Sequence, residues 1–384
     1  MKRSMESLAS LHKEFLQDMY FDYEDNSTKY IDLITIMACL FFCESEKKKG
    51  KTEIIIPVFH LSIWEKEKDA VEELFKWVLN KSVPLQFTKI EPTHDQELRL
   101  ALPTNQNVSL FLDDIESLTG LYLSSISKES YVSDYIRVID KDNEKSKQQK
   151  LTLFLRNSVS DSTEIKTAGS IFNKKRIHHS PASLLLLLMI AATRSYFNGG
   201  SAVYYYQSMK INLDCIDNFK LLDTVSHPKT FELLNALFGS ISANMMIKTP
   251  LLYKTRAEIL KELPNKYKLQ MKNTNECLRM KRKIEDKQVD TPCGICTACI
   301  QRKIHMAASN NEVYDGFYQY DYGQKLVEMK NDQDKQIFTD SIQLMQTIYD
   351  YVESNLENVT LEEQHAAKEF MATFSRFIEK YNPN

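Results

Sequence analysis

The chain has 384 residues, of which 43% are hydrophobic, and a formal net charge of −3 from 49 basic and 52 acidic side chains. This balance excludes a global basic field for nucleic acid and the excess charge typical of disordered chains. The low numbers of glycines (9) and prolines (10) disfavour a loop-rich all-β fold. The longest apolar run, 184–192, is far shorter than the roughly 20 residues that cross a bilayer. We expect a cytoplasmic protein without a membrane segment.

Residues 1–104 predict a small α+β region. "KYIDLITIMACLFFCES" has helical apolar spacing, and residues 53–59 and "LQFTKIEP" read as two short strands. "KDAVEELFKWVLN" predicts an amphipathic helix whose apolar face comprises Val71, Leu74, Phe75 and Val78.

Residues 105–309 predict a second domain of alternating strands and helices. Strand candidates are 108–112, "YIRVI", "LTLFLR" and "SAVYYY", and a helix is expected after Glu116. "SPASLLLLLMIAATRSYFNGG" predicts a buried helix with Ser180 as N-cap and Pro181 at its first position. The alternation favours an α/β fold with a mostly parallel sheet.

Residues 310–384 predict a helical extension. An aromatic and acidic segment, "NEVYDGFYQYDYG", precedes two amphipathic helices at 337–356 and 361–381. We expect the segment to pack over the core, and the helices either cap the sheet or mediate dimerisation.

Four of the seven cysteines lie close together in sequence: Cys277, Cys293, Cys296 and Cys299. Two consecutive Cys-x2-Cys spacings can direct thiolates at one ion, and Zn²⁺ takes four such ligands as a tetrahedron. An iron–sulfur cluster or separate buried thiols are the alternatives. A four-cysteine zinc site has no open position, so a structural role is predicted.

The order of these motifs resembles the QueC family of 7-cyano-7-deazaguanine synthases over about residues 105–308. "TPLLYKTRAEI" and "CGICTACIQRK" are similar to that family's segment before its zinc site and to its CGxCxxC knuckle. The resemblance implies a Rossmann-like parallel sheet of the adenine nucleotide alpha hydrolase (PP-loop ATP pyrophosphatase) kind. It also implies ATP-dependent adenylation of a carboxylate that ammonia or an amine then attacks.

The N-terminal region and "SHPKTFELLNALF" resemble QueC-like proteins encoded in antiphage defence operons of the Qat kind. This resemblance implies a protein partner from the same operon, and the family implies a 7-deazapurine ligand.

The nucleotide loop of the family, SGGxDS, falls here on Leu112, Asp113, Asp114, Ile115, Glu116 and Ser117. Only the serine is kept, and both glycines, whose backbone N–H groups approach phosphate, become aspartates. At an effective dielectric constant near 20, a carboxylate 4 Å from a phosphate charge costs about 4 kcal/mol. We therefore expect no ordinary binding of ATP and Mg²⁺.

Three functions remain open. The first is a pseudoenzyme that serves as a platform for a partner or ligand. The second is an active ligase in which Asp113, Asp114 and Glu116 hold Mg²⁺; in the simpler interpretation these side chains only form the acidic N-terminus of a helix. The third is a nucleic-acid-binding module using the basic segments 173–180 and 279–287.

Overall fold

A computed structural model describes residues 25–45, 53–91, 106–126, 132–139, 147–158, 163–166 and 180–382, the last range without 214, 216–219, 242, 275, 278, 280–281, 285–286 and 290. The chain is a mixed α/β protein with parallel sheets, as the alternation of strands and helices predicts. The strands are β1 (Ile54–Val58), β2 (Leu85–Lys89), β3 (Gln106–Leu110), β4 (Val132–Ile139), β5 (Thr163–Lys166), β6 (Gly199–Tyr204), β7 (Met246–Lys248), β8 (Arg282–Ile284) and β9 (Lys287–Val289).

The helices divide between those that flank the sheet and those that follow it. They are α1 (Asp25–Ser45), α2 (Leu61–Lys66), α3 (Lys68–Leu79), α4 (Ile115–Ile126), α5 (Lys147–Arg156), α6 (Pro181–Phe197), α7 (Pro228–Ser240), α8 (Arg256–Glu262), α9 (Asn265–Lys268), α10 (Thr297–Ala308), α11 (Asp332–Asn355) and α12 (Leu361–Tyr381). None of the helices in the described part of the chain combines the length and apolar composition that a bilayer-spanning segment needs.

The central sheet has five strands in the order β5-β4-β3-β6-β7, and every adjacent pair is parallel. The chain adds strands on one side of β3 and then returns to add β6 and β7 on the other side. In open α/β sheets, ligands bind in the crevice outside the carboxyl ends of the strands where the order reverses in this way. A ligand site is therefore expected at the carboxyl ends of β3 and β6.

Helix α6 forms the centre of the core. Ser180 accepts a hydrogen bond from the backbone of Ser183, and Pro181 occupies the first turn, as predicted. The helix is buried on almost all sides because α1 covers it opposite the sheet; the rings of Tyr30 and Tyr196 stack there with centroids 4.4 Å apart. The helix ends at Phe197, and Gly199 follows shortly after it with a positive φ of 74°.

The N-terminal strands β1 and β2 pair in parallel as a separate sheet. The predicted apolar face of α3 is buried at all four positions. Asp32 of α1 fastens this unit, since its carboxylate accepts hydrogen bonds from the backbone N–H groups of Phe59 (2.8 Å) and His60 (3.0 Å) and from Trp64 Nε1 (2.8 Å). One continuous apolar core contains these elements together with the central sheet and α6. The predicted boundary at 104/105 lies outside the described residues.

The segment "LTLFLR" is a helix, and the prediction of a strand there was wrong. Leu151 and Leu155, one helical turn apart, are buried, whereas Leu153 is 54% exposed. An i, i+4 pattern over so short an apolar segment is easily taken for strand alternation.

The two predicted C-terminal helices are present as α11 and α12. Met345, Ile348 and Val352 of α11 are buried in one cluster with Ile300 and Ile304 of α10, and Phe370, Phe374 and Phe377 of α12 complete this cluster. The apolar faces thus pack within the chain, against α10.

We expect Asp32→Ala to lower the free energy of unfolding by about 2–5 kcal/mol, because three donors lose their acceptor beside a buried tryptophan. Urea unfolding followed by tryptophan fluorescence measures this. Asp332→Asn is the control, since the side chain of Asp332 is 95% exposed and its replacement should change stability by less than about 0.5 kcal/mol. Equal stability of the two variants would contradict the role given to Asp32.

Candidate functional site

The four predicted metal-ligating cysteines lie together. Their Sγ atoms are all within 4.8 Å of one another, with Cys277 3.7 Å and Cys299 3.9 Å from Cys293. A tetrahedron of thiolates 2.3 Å from zinc has sulfur–sulfur edges of about 3.8 Å, so these cysteines fit a single tetrahedral ion. The cluster could bind a metal such as zinc.

The turn between Cys293 and Cys296 depends on Gly294. Its φ is +79°, and a Cβ there would lie 2.0 Å from the backbone oxygen of Tyr320. The N–H of Cys296 points at the sulfur of Cys293 (3.3 Å), and the N–H of Cys293 points at the sulfur of Cys277 (3.3 Å). Donors directed at sulfur favour the thiolate, which is the metal-binding form of cysteine.

The aromatic segment after α10 packs over this turn, in line with the prediction that it packs on the core. Phe317 is an exception, since its side chain is 91% exposed. The backbone of Tyr320 donates to the carbonyl of Cys293 (3.1 Å). The ammonium of Lys303, a residue 2% exposed, donates to the carbonyls of Gly294 (2.9 Å) and Tyr320 (2.7 Å). Sequence reasoning missed Lys303; its position one turn after Cys299 on α10 was the available signal.

The helix that follows the predicted nucleotide loop begins at Ile115, whereas the sequence suggests a start after Glu116. Strand β3 ends at Leu110 and α4 begins at Ile115, so Glu116 and Ser117 lie in its first turn. Asp113, for which the sequence resemblance predicts the position of a loop glycine, has a φ of +59°. The backbone there has a left-handed conformation that favours glycine, although the residue is an aspartate.

Two of the loop carboxylates are bonded to nearby elements of the chain. Asp113 accepts from Arg137 Nε of β4 at 2.6 Å, and Arg137 is 1% exposed. Asp114 accepts from the backbone N–H (2.8 Å) and the hydroxyl (2.5 Å) of Ser117. Asp114 thus caps α4, in agreement with the simpler interpretation of this acidic segment.

The third carboxylate, Glu116, is fully buried and is bound by three residues. Arg256 binds both oxygens, with Nη2–Oε2 2.8 Å and Nε–Oε1 3.0 Å. Ser208 donates its hydroxyl at 2.6 Å, and Lys210 Nζ lies 3.5 Å away. These partners come from the segment after β6 and from the start of α8, so Glu116 lies at the crevice between the ends of β3 and β6.

The two buried carboxyls, Asp114 and Glu116, have opposite pKa shifts. Burial alone would raise the pKa of Glu116, but Arg256 and Lys210 outweigh it and hold the pKa well below its usual value. Burial, and then the negative charge of Glu116, raise the pKa of Asp114 to about 6. Glu116 is therefore a fixed internal anion at neutral pH.

His305 of α10 faces the same group of charges. Its Nδ1 is buried and has no hydrogen-bond partner among the described residues. Burial, with a contribution from Arg256, lowers the pKa of His305 to about 3. Its imidazole is neutral and adds no charge to the site.

The other predicted sites are only partly described. Residues 173–179, with His178 and His179, lie outside the described residues. In the second basic segment, Arg279 pairs with Asp334 at 2.9 Å. Tyr204, Tyr205 and Tyr206 are buried, and a Cβ on Gly120 would lie 2.1 Å from the Tyr206 ring. These tyrosines pack inside the chain and offer no surface for stacking on bases.

The family model described as "Queuosine biosynthesis protein QueC" matches residues 214–310, about a quarter of the chain. This segment contains Arg256 and all four cysteines of the cluster, and ends before the aromatic segment. The loop at 112–117 lies outside it. A search among curated proteins finds no match. The match supports a QueC-like family, in agreement with the resemblance of the cysteine segment.

Lys303→Met should weaken zinc binding by about 10- to 100-fold, because the carbonyls that hold the cysteine turn lose their donor. Competition with a chromophoric chelator measures the affinity, after mass spectrometry has established one zinc per wild-type chain. Lys330→Met, on an exposed lysine, is the control. Unchanged affinity in Lys303→Met would show that Lys303 does not support the cluster.

Glu116→Gln should destabilise the protein at pH 7 by about 3–5 kcal/mol, since Arg256 and Lys210 lose their buried counter-charge. The folded-state pKa of Glu116 lies below its ordinary value of 4.5, so its contribution is present above pH 4.5 and is lost as pH falls below it. The stability gap between wild type and variant should therefore narrow with acidification. Urea unfolding at several pH values measures it.

Glu262→Gln, at the C-terminal end of α8, is the matched control. The side chain of Glu262 is 58% exposed in its pair with Lys254, and such surface pairs contribute about 0–1 kcal/mol. A gap for Glu116→Gln that does not change with pH would contradict the assignment of a buried carboxylate.

Proposed function

We propose that this protein is a QueC-like member of the PP-loop ATP pyrophosphatases that has become a pseudoenzyme. The observation that carries this proposal is the occupation of its nucleotide loop by its own carboxylates, above all the fully buried Glu116 bound by Arg256. The fold around the loop, a Rossmann-like sheet with the crevice between β3 and β6, remains as a platform for a partner protein or a ligand.

The donors that a phosphate would need are already engaged. Arg256 and Ser208 bond to Glu116, and the N–H of Ser117 in the first turn of α4 bonds to Asp114. Helix N-termini bind anions through such N–H groups. An entering phosphate would have to displace Glu116, and breaking a buried ion pair costs about 3–5 kcal/mol. It would also meet the negative charge of Asp113 and Asp114.

For the cysteine cluster we propose structural zinc. Four cysteines around one ion leave no open position for substrate or water. The ion would tie Cys277 to the turn at Cys293 and to the first turn of α10, which carries Cys299. An iron–sulfur cluster remains the alternative, and metal analysis separates the two.

An active ligase is the second candidate, and the location of the loop favours it. Asp113 keeps a positive φ at the crevice where doubly wound sheets bind nucleotides. In this case Asp113, Asp114 and Glu116 would hold Mg²⁺ for adenylation of a 7-deazapurine carboxylate. Replacing both aspartates with alanine would then abolish turnover.

The biological setting is proposed only from the resemblance of the N-terminal region and of the segment "SHPKTFELLNALF". We infer a cytoplasmic role in an antiphage defence operon of the Qat kind, with a protein partner from the same operon. Co-purification of the chain with the products of its neighbouring genes tests this directly.

Wild-type protein should show no binding of Mg·ATP by calorimetry at millimolar nucleotide, and no pyrophosphate release with 7-deazapurine carboxylic acids. Rebuilding the loop by Leu112→Ser, Asp113→Gly, Asp114→Gly and Glu116→Asp should produce measurable affinity for Mg·ATP. The two glycines let backbone N–H groups approach the phosphates closely, and two negative charges are removed. A micromolar dissociation constant for the wild type, or any turnover, would refute the pseudoenzyme.

A further inference from the structure

A chain of alternating buried charges connects the loop to the cysteine cluster. Arg256, which holds Glu116, also binds Glu276 through Nη1 at 2.6 Å. The other oxygen of Glu276 lies 3.4 Å from Nη1 of Arg302. Arg302 in turn binds Asp315, with Nε–Oδ1 2.9 Å.

The members of this chain are shielded from water. The side chains of Arg256 and Arg302 are each 6% exposed, and that of Glu276 is 15% exposed. Charges in such surroundings are only weakly screened, so the position of each one strongly affects its neighbours. Moving Glu276 would leave two buried guanidinium groups with one carboxylate fewer.

The central member of the chain is attached to a predicted metal ligand. Glu276 immediately precedes Cys277, the only member of the cluster that lies upstream of the turn at Cys293. Arg302 follows Cys299 by three residues on α10. Both links of Glu276 therefore depend on where the cysteine cluster places its backbone.

The sulfur of Cys277 accepts hydrogen bonds from the backbone N–H groups of Cys293 (3.3 Å) and Arg279 (3.4 Å), and a metal–thiolate bond is much stronger than such contacts. This sulfur lies 3.7 Å from that of Cys293 with no covalent bond between them, and the thiolates that would bind a cation repel one another. With a metal, ligation fixes Cys277, and Glu276 is held beside Arg256.

We propose that metal binding at the four cysteines locks the loop at 112–117 in its closed arrangement, through Glu276 and Arg256. Metal at the cluster holds Glu276, Glu276 orients Arg256, and Arg256 holds Glu116 in the crevice. Loss of the metal releases the loop. This inference rests on the proposed function in one respect, namely that Glu116 occupies the nucleotide loop.

Hydrogen exchange of the full chain, read by mass spectrometry, tests the lock. The backbone N–H of Leu112 donates to Ser117 Oγ (2.9 Å), so peptides covering 110–120 report loop opening. Stripping zinc with a chelator should speed their exchange at least about fivefold, the lower end of usual allosteric couplings. Peptides from α6 should keep their protection, which separates local opening from global unfolding.

Two variants locate the connection. In Glu276→Gln the loop should exchange rapidly even with zinc bound, and stripping should add little. Glu262→Gln should retain the full response to zinc. Stripped wild type that keeps its α6 protection and shows unchanged loop exchange would overturn the proposal.

Thermodynamic reciprocity allows the lock to be tested through zinc affinity. This measurement tests the proposal even if the zinc-stripped chain unfolds. If metal favours the closed loop, loosening the loop must weaken metal binding by the same factor. Glu116→Gln, separated from the cysteines by Arg256 and Glu276, should bind zinc at least about fivefold more weakly than Glu262→Gln. Equal affinities would overturn the lock.

The lock and the proposed function can fail separately. Binding of Mg·ATP to the zinc-loaded wild type would end the pseudoenzyme proposal and leave the zinc dependence of loop exchange to be judged on its own. Unchanged exchange with no ATP binding would end the lock and leave the pseudoenzyme intact.

Discussion

The arrangement of the crevice depends on one buried ion pair, Glu116 with Arg256. Removing two charges from water is expensive, and the pair persists only because its remaining hydrogen-bonding capacity is satisfied. Ser208 and Lys210 complete the coordination of Glu116, and Glu276 takes the remaining edge of Arg256. The carboxylate thus occupies, from inside the chain, the kind of position at a helix N-terminus that suits a phosphate. The proposed loss of ATP binding follows from this competition for the same donors.

In the segment 112–117, the backbone conformation and the side chains favour different interpretations. Asp113 adopts the positive φ that a glycine would adopt at this position, and Arg137 stabilises it with an ion pair. Arg137 also bonds to Thr152 of α5, so the elements beside β3 hold the strained residue in place. A strand–turn–helix shape at the carboxyl edge of a sheet is therefore insufficient evidence for a nucleotide site. A nucleotide site also requires backbone N–H donors that are not already bonded to the chain's own side chains.

Sequence reasoning succeeded where the signal is local. The cap of α6 at Ser180 and Pro181 and the apolar face of α3 need only neighbouring residues to be recognised. The cysteine cluster was also accessible, because metal geometry restricts the spacing of ligands. The helix at Leu151 was missed because two buried leucines one turn apart fit either period. The pairing of Glu116 with Arg256 joins residues 140 positions apart, and no local pattern in a single sequence specifies it.

The same limit applies to Lys303 and Arg302. Both follow the cysteine motif on α10, yet their side chains bind different groups. Lys303 holds the turn at Gly294, whereas Arg302 faces Glu276 and Asp315. Adjacent positions on a helix point about 100° apart, so α10 places one cation over the cysteine turn and the next toward the charge chain. A buried ionic network adds little net stability compared with a well-packed apolar core, but it penalises strongly any arrangement that separates its charges. Its physical effect here is to make one relative position of the cysteine cluster and the loop much more favourable than any other. A metal that fixes Cys277 favours this same relative position. Metal binding at the cluster should therefore affect the loop at 112–117, although that loop contains no cysteine.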